Sequence, residues 1–180
     1  MPTGYQIKNQ EGCHFLTLQV VDWIDAFSRK TYRDILIDNL IFCQQNKGLE
    51  IFAYVIMSNH MHLVVRSRNS DLSDTIRDFK SYTSKQILNA INEENESRKE
   101  WMLTLFSMAA ARHKRNSEFQ FWTHENHAIE LVSNIFIDQK IDYIHQNPVR
   151  AGIVEQPEDY IYSSACFYAG RGGLIELDVE

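Results

Sequence analysis

Short apolar runs and longer amphipathic stretches alternate along the first half of the chain. His14–Val21, Ile51–Met57 and Leu63–Arg66 are brief and rich in β-branched and aromatic residues, which is typical of strands. Between the first two, apolar residues of Arg29–Gln45 recur at helical spacing. The pattern therefore predicts a strand, a helix and two neighbouring strands.

The second half continues with the same alternation. Helical periodicity covers 71–91 and 99–112, a short apolar run at 128–131 fits a strand, and apolar spacing returns over Ile137–Pro148, where the proline marks the expected helix end. The succession matches a ferredoxin-like α+β order. We expect an antiparallel sheet of four to five strands with helices packed on it.

Composition favours one compact unit. A chain of 180 residues that is 44% hydrophobic can bury a sizeable core, so we expect a single domain over 1–180 with its core at about 10–170. The three cysteines have no paired spacing, which favours reduced thiols in a bacterial-type cytoplasm. No apolar run approaches the ~20 residues that span a membrane, and the N-terminus lacks a signal-peptide pattern.

Charge is unevenly distributed along the chain. The formal net charge is −6, which is unusual for a protein that binds nucleic acid. Six acids against one arginine in 155–180 give that tail −5, whereas 97–115 carries five basic residues against one glutamate and is +4. The basic residues are thus separated from most of the negative charge.

His60-Met61-His62 is the strongest chemical signal in the sequence. Residues i and i+2 of a strand point to the same face, so the two imidazoles would converge within reach of one metal ion. Two histidines at a strand end that bond only to neighbours or water would produce the same spacing. The spacing alone leaves both interpretations open.

Tyr143 and Asn147 form a second pair. They are four residues apart in the predicted last helix and therefore share one face, which sets a phenol beside a carboxamide oxygen, a competent ligand for hard cations. Taken alone, Tyr143 is equally explained as a half-buried aromatic residue that anchors the helix.

Both pairs together resemble the signature of single-tyrosine HUH transposases. The resemblance includes His60-Met61-His62 after an apolar strand and Tyr143-Ile-His-Gln-Asn147-Pro-Val-Arg-Ala-Gly about eighty residues later, and it extends from about residue 10 to 175. The chain is most similar to the REP-associated tyrosine transposases, relatives of the small insertion-sequence transposases that act on single-stranded DNA.

This resemblance implies an HUH endonuclease architecture and a cleavage chemistry. Tyr143 would attack a DNA phosphodiester and form a 5′-phosphotyrosine, while His60, His62 and Asn147 would hold a divalent cation, Mg²⁺ or Mn²⁺. Many relatives carry glutamine at the position of Asn147, so the third ligand departs from the common pattern. The two histidines themselves favour softer ions, so they do not settle which metal is physiological.

The resemblance also implies a DNA partner. Single-stranded DNA that forms a hairpin is the expected substrate, no membrane is involved, and the protein is expected in the bacterial cytoplasm, associated with the nucleoid, as a monomer or a homodimer. The basic residues that we expect to contact DNA are Arg66, Lys80, Arg112, Lys114, Arg115 and Arg150.

Two other functions are compatible with the residues. A domesticated DNA-binding protein would keep the fold without a transposition cycle, and an unrelated His-x-His metal hydrolase would leave Tyr143 without a role. His124 and His127 flank Glu125 and suggest a second metal site, but a polar turn explains this segment equally well.

Overall fold

The chain folds into a four-stranded antiparallel sheet with helices on both faces. The structure is a computed structural model that describes residues 6–113 and 118–179. The strand order is β2-β3-β1-β4, the order of a ferredoxin-like sheet. This confirms the predicted fold class. The elements are β1 (His14–Gln19), α1 (Lys30–Asn46), β2 (Leu49–Ile56), β3 (His60–Ser67), α2 (Leu72–Glu93), α3 (Lys99–Ala111), β4 (Ile129–Glu130), α4 (Asn134–Arg150) and α5 (Ala165–Tyr168).

Alternation along β3 separates the core from the site. Met61, Leu63 and Val65 point to one face of the sheet and are fully buried. Helices α1 and α2 pack against each other, and α1 contacts β2. His60 and His62 alternate with those residues and point to the opposite face, which α4 crosses. That face is also apolar in part, since Val64 and Ile144 are fully buried there, and the two histidines lie at its β3 end.

Strand β3 begins at His60, directly after Ser58-Asn59, as the sequence predicts. The backbone of His60 and Met61 pairs with Gln19 and Leu18 of β1. The two histidines therefore lie inside a paired strand, where the backbone fixes their direction. The other predicted helices and strands that precede α4 begin or end within about three residues of the observed bounds.

Helix α4 continues past Pro148 to Arg150, so the predicted end at the proline is wrong. The helix stops in a Schellman motif, in which Ile153 N donates to Pro148 O (2.9 Å) and Gly152 N donates to Val149 O (2.9 Å). Gly152 has φ +71°, the left-handed conformation that this motif requires. The glycine, not the proline, terminates the helix.

The C-terminal segment covers the β2 edge of the sheet. Ile56 N donates to Tyr162 O (2.9 Å) and Asp178 N donates to Ile51 O (3.0 Å). An ion pair between Arg68 Nη2 and Asp178 Oδ1 (2.8 Å) adds to this contact. Part of the acidic tail is therefore folded against β2. Within the described ranges, no helix is long and apolar enough to span a bilayer.

Candidate active site

His60 and His62 lie side by side on β3, with their ring centroids 4.8 Å apart. Asn59 Nδ2 donates to Trp23 O (3.3 Å), which leaves Asn59 Oδ1 to accept from His60 Nδ1 at 2.7 Å. Because an amide oxygen only accepts, this bond sets the hydrogen of His60 on Nδ1. The Nε2 atom then carries a free lone pair, as a metal ligand requires.

The neighbouring strand orients His62 in a similar way. Thr17 Oγ1 of β1 lies 3.0 Å from His62 Nδ1, because Thr17 and His62 are paired in the sheet register. Phe15, two residues earlier on β1, stacks on the His62 ring at a centroid distance of 5.1 Å. The hydroxyl and the stacked ring hold the imidazole so that Nε2 is the available nitrogen.

Burial keeps both imidazoles neutral. It lowers the pKa of His62 to about 3, with smaller contributions from His60 and from the cations of Lys140 and Arg150. Burial also lowers the pKa of His60. Neutral imidazole is the form that binds metal, so the pair is in its ligating state at neutral pH.

Tyr143 of α4 reaches this pair across the face of the sheet. Its ring centroid lies 5.5 Å from that of His62 and 5.9 Å from that of Phe15, both in edge-on arrangements. The residue is 41% exposed, so a large substrate has access to it. The Tyr143 ring thus lies against His62, and the convergence of its hydroxyl with both imidazoles on one cation stays a prediction.

Two cations flank the Tyr143 ring. Lys140 Nζ lies 5.4 Å from its centroid, and Arg150 Cζ lies 4.6 Å from it. Arg150 Nη2 also donates to the Tyr143 carbonyl oxygen (2.7 Å). Sequence reasoning missed Lys140, although its position three residues before Tyr143 indicates the same helical face.

Asn147 follows Tyr143 by one turn of α4 and is partly buried. Within the described part of the chain, no group of three His, Cys, Asp or Glu residues could hold a metal. A third protein ligand from this part would therefore be of another type, and a carboxamide is one. The oriented imidazoles and an amide one turn from Tyr143 fit a divalent cation, and the assignment of Asn147 stays a prediction.

Two of the arginines expected to contact DNA are ion-paired within the protein. Arg66 Nε bonds Glu50 Oε2 (2.5 Å) at the β2 side of the sheet. Arg112 pairs with Asp22, which follows β1. Contact of either arginine with DNA remains a prediction, and it would compete with these carboxylates.

Lys80 is also engaged within the protein. Its Nζ donates to Thr123 O (2.7 Å) and Asn126 Oδ1 (2.8 Å), and burial lowers its pKa to about 8. Lys80 thus joins α2 to the segment that leads to β4. The remaining predicted contacts, Lys114 and Arg115, lie outside the described residues.

The second histidine group lies at a separate depression. His113 and His124 have ring centroids 4.7 Å apart and line, with His127, a cavity of about 540 Å³. His127 Nδ1 is 4.0 Å from Glu125 Oε2. Among the described residues, no set of three His, Cys, Asp or Glu side chains could hold a metal, and a structural or DNA-contacting role for His124 and His127 stays a prediction.

Comparison with known proteins gives one family and one fold. The family model described as "Transposase IS200 like" matches residues 25–118, more than half of the chain, including both histidines of the site. A solved structure described as a REP-associated tyrosine transposase bound to a REP hairpin is similar to this chain, with a TM-score of 0.66 and 20% identity, over 99% of this chain and 91% of that one. Comparison with curated proteins gives no match.

Proposed function

We propose that this chain, which belongs to the IS200-like transposase family, cleaves and rejoins single-stranded DNA through a covalent phosphotyrosine on Tyr143. Transposase function follows from the family. The nucleophile, the metal ligands and the form of the DNA are the parts that we infer from the site.

The observation that carries the proposal is the position of Tyr143 beside the histidine pair. Its ring lies edge-on to His62, which itself lies beside His60. Three separate segments supply the phenol, the two imidazoles and the hydroxyl beside His62. A tyrosine that only anchored α4 would need no pair of oriented imidazoles beside it.

Tyr143 would act as the nucleophile. Its phenolic oxygen attacks the phosphorus of a phosphodiester, the bond from phosphorus to the 3′ oxygen breaks, and the leaving strand takes up a proton as its 3′-hydroxyl. The other strand segment stays covalently attached to Tyr143 through its 5′-phosphate. The reverse attack by a 3′-hydroxyl rejoins DNA without a nucleotide cofactor, because the phosphoester bond is retained.

His60, His62 and Asn147 would hold a divalent cation, Mg²⁺ or Mn²⁺. Bound there, the cation would polarise the scissile phosphate and stabilise the charge that develops on it. Asn59 sets the hydrogen of His60 on Nδ1, and Thr17 holds Nδ1 of His62, which would leave Nε2 of each ring for the cation.

Lys140 and Arg150 would assist Tyr143 directly. Both cations lie over its ring. Their positive charge would attract the DNA phosphate to the tyrosine and stabilise the charge that develops on it. Arg150 also presents a planar guanidinium, which can bind a phosphate with two hydrogen bonds.

Hairpin-forming single-stranded DNA is the proposed substrate. The similar solved structure is bound to a REP hairpin, and the fold agreement over nearly the whole chain supports a comparable partner here. The half-exposed Tyr143 is compatible with a strand laid across the face of α4.

Incubation with hairpin-bearing single-stranded oligonucleotides and Mn²⁺ tests the proposal. We expect a denaturation-resistant protein–DNA adduct that is lost in Tyr143→Phe and strongly reduced in His62→Ala. Tyr82→Phe is the matched control, because Tyr82 is an exposed tyrosine of α2. An adduct that persists in Tyr143→Phe would contradict the nucleophile, and sequence-selective binding without any adduct would favour the domesticated DNA-binding protein.

A further inference from the structure

Trp23 is a large exposed aromatic residue beside the proposed metal site. It is 61% exposed, and its ring lies edge-on to His60 with centroids 6.3 Å apart. Most of its surface faces solvent at the side of a histidine, which distinguishes it from the exposed Trp101 of α3.

The backbone that carries Trp23 is strained. Asp22 and Trp23 have φ +53° and +56°, a left-handed conformation that residues with a β-carbon rarely adopt. Such conformations persist where surrounding contacts enforce them, and they concentrate at functional sites. The enforcing contacts here are the ion pair of Arg112 with Asp22 and the hydrogen bond from Asn59 Nδ2 to Trp23 O (3.3 Å).

Asn59 couples Trp23 to the histidine pair. Its amide nitrogen holds the Trp23 carbonyl, while its amide oxygen accepts from His60 Nδ1 (2.7 Å). The same side chain therefore holds the backbone of Trp23 and sets the tautomer of the proposed ligand. The placement of Trp23 relative to His60 is built into the site.

We propose that Trp23 is a stacking platform for one unpaired base of the DNA strand, in the nucleotide next to the scissile phosphate. This rests on the proposed function, since it takes the scissile phosphate to lie at His60 and His62. Proteins that bind single strands pair cationic groups with aromatic rings on which bases stack, and the stack tolerates any base because each has a π face. Lys140 and Arg150 supply the cationic part near Tyr143, and Trp23 supplies the aromatic part near His60.

The stacked base would set the register of the strand. A base held on Trp23 fixes which phosphate lies between His60 and Tyr143, so the ring would determine where along the strand cleavage occurs. Stacking gives no hydrogen-bond code, so loss of the ring should weaken binding of all sequences to a similar extent and spread the cleavage position.

The test uses single-stranded oligonucleotides with 2-aminopurine at successive positions around the cleavage point, bound to the full chain in the Tyr143→Phe background. We expect quenching of the fluorescence at one position, retained in Trp23→Phe and lost in Trp23→Ala, with binding about tenfold weaker in Trp23→Ala. Trp101→Ala, which removes a comparably exposed tryptophan of α3, should leave both measurements unchanged.

The outcomes separate this proposal from the cleavage proposal. Quenching that persists in Trp23→Ala, or an equal effect in Trp101→Ala, would overturn the platform even if Tyr143 forms its adduct. Position-specific quenching that depends on Trp23, in a protein that forms no adduct, would support the platform and contradict cleavage. Trp23→Phe also controls for folding, because it keeps a ring on the same strained backbone.

Discussion

Thr17 and Asn59 determine what the two histidines can do. An imidazole can present either ring nitrogen, and a hydrogen bond to one of them selects the other as the ligand. Asn59 binds Nδ1 of His60, and Thr17 lies against Nδ1 of His62. Two neutral side chains thus hold Nδ1 of each imidazole and leave Nε2 as the nitrogen that would bind the proposed metal.

Thr17→Val should weaken metal binding and leave the fold intact. Valine keeps the volume of threonine but removes the oxygen at His62 Nδ1, so the ring loses its fixed orientation. We expect Mn²⁺ affinity to fall about 10- to 100-fold, with adduct formation restored at high Mn²⁺. Titration of Mn²⁺ binding measures this, Thr17→Ser should retain the affinity, and an unchanged affinity in Thr17→Val would contradict the role.

The sequence alone predicts some residues of the site but not others. The convergence of His60 and His62 follows from strand alternation alone, and the common face of Tyr143 and Asn147 follows from helical spacing. Thr17 could not be found, because its pairing with His62 depends on the register of two strands that are separated by forty residues of chain. The position of Trp23 beside His60 could not be predicted for a related reason, because only the fold brings these two distant residues together.

Helix α4 carries Tyr143, and its C-terminal motif depends on Gly152. A β-carbon built on Gly152 meets nothing within 4 Å, so a substitution there changes only the backbone energy. The left-handed conformation costs a residue with a β-carbon roughly 1–2 kcal/mol.

Gly152→Ala should therefore lower the free energy of unfolding by about 1 kcal/mol. Gly152→Asn should cost less, because asparagine tolerates this conformation better than alanine. Urea denaturation measures both. Gly173→Ala is the control, since its β-carbon would make only ordinary contacts, beginning at 3.6 Å. Equal stability of Gly152→Ala and the wild type would contradict the motif.

At the level of elements, the apolar pattern predicts the order of strands and helices but misplaces the end of α4. The pattern predicts a stop at Pro148, yet a proline in the last turn removes only one donor, and Gly152 ends the helix. Backbone hydrogen bonds, which the pattern does not contain, determine this end.

Across the whole molecule, many basic side chains are already neutralised by acids. Arg66 pairs with Glu50 and Arg112 with Asp22, whereas Lys140 and Arg150 lie over Tyr143. The net charge of −6 is thus compatible with a positive region at the site. Binding to DNA should then depend on few phosphate contacts.

Arg150→Gln should weaken DNA binding uniformly and reduce its dependence on salt. Loss of one phosphate contact to a single strand lowers the slope of log K against log salt by roughly 0.7. Arg66→Gln should change the slope little, because Arg66 is paired with Glu50. Binding measured over a range of KCl concentrations tests this, and a larger change for Arg66→Gln would reverse the assignment.

Lys80 should make the stability of the protein depend on alkaline pH. Burial lowers the pKa of Lys80 to about 8 in the folded state, whereas an ordinary lysine has a pKa of about 10.4. Between about pH 8 and pH 10 the unfolded chain therefore binds more protons than the folded one, and the free energy of unfolding rises with pH. We expect a rise on the order of 2 kcal/mol, less than the full pKa difference gives, because the two hydrogen bonds of the ammonium offset part of its desolvation.

Lys80→Met should abolish this rise. Above pH 10 the buried tyrosines act in the opposite direction, because burial raises the pKa of Tyr32 to about 12. The difference in urea midpoints between wild type and Lys80→Met at pH 8 and pH 9.5 isolates Lys80. A pH-independent difference would contradict the role of burial.

The borders of the sheet bear on how copies of this protein could associate. At one border, backbone groups of Ile51 and Ile56 are already bonded to residues near the C-terminus, so an incoming chain finds them occupied there. At the other border, β4 offers only two residues, Ile129 and Glu130. The sheet thus leaves little unpaired backbone for a second copy to add a strand, and association through strands would have to use the short β4.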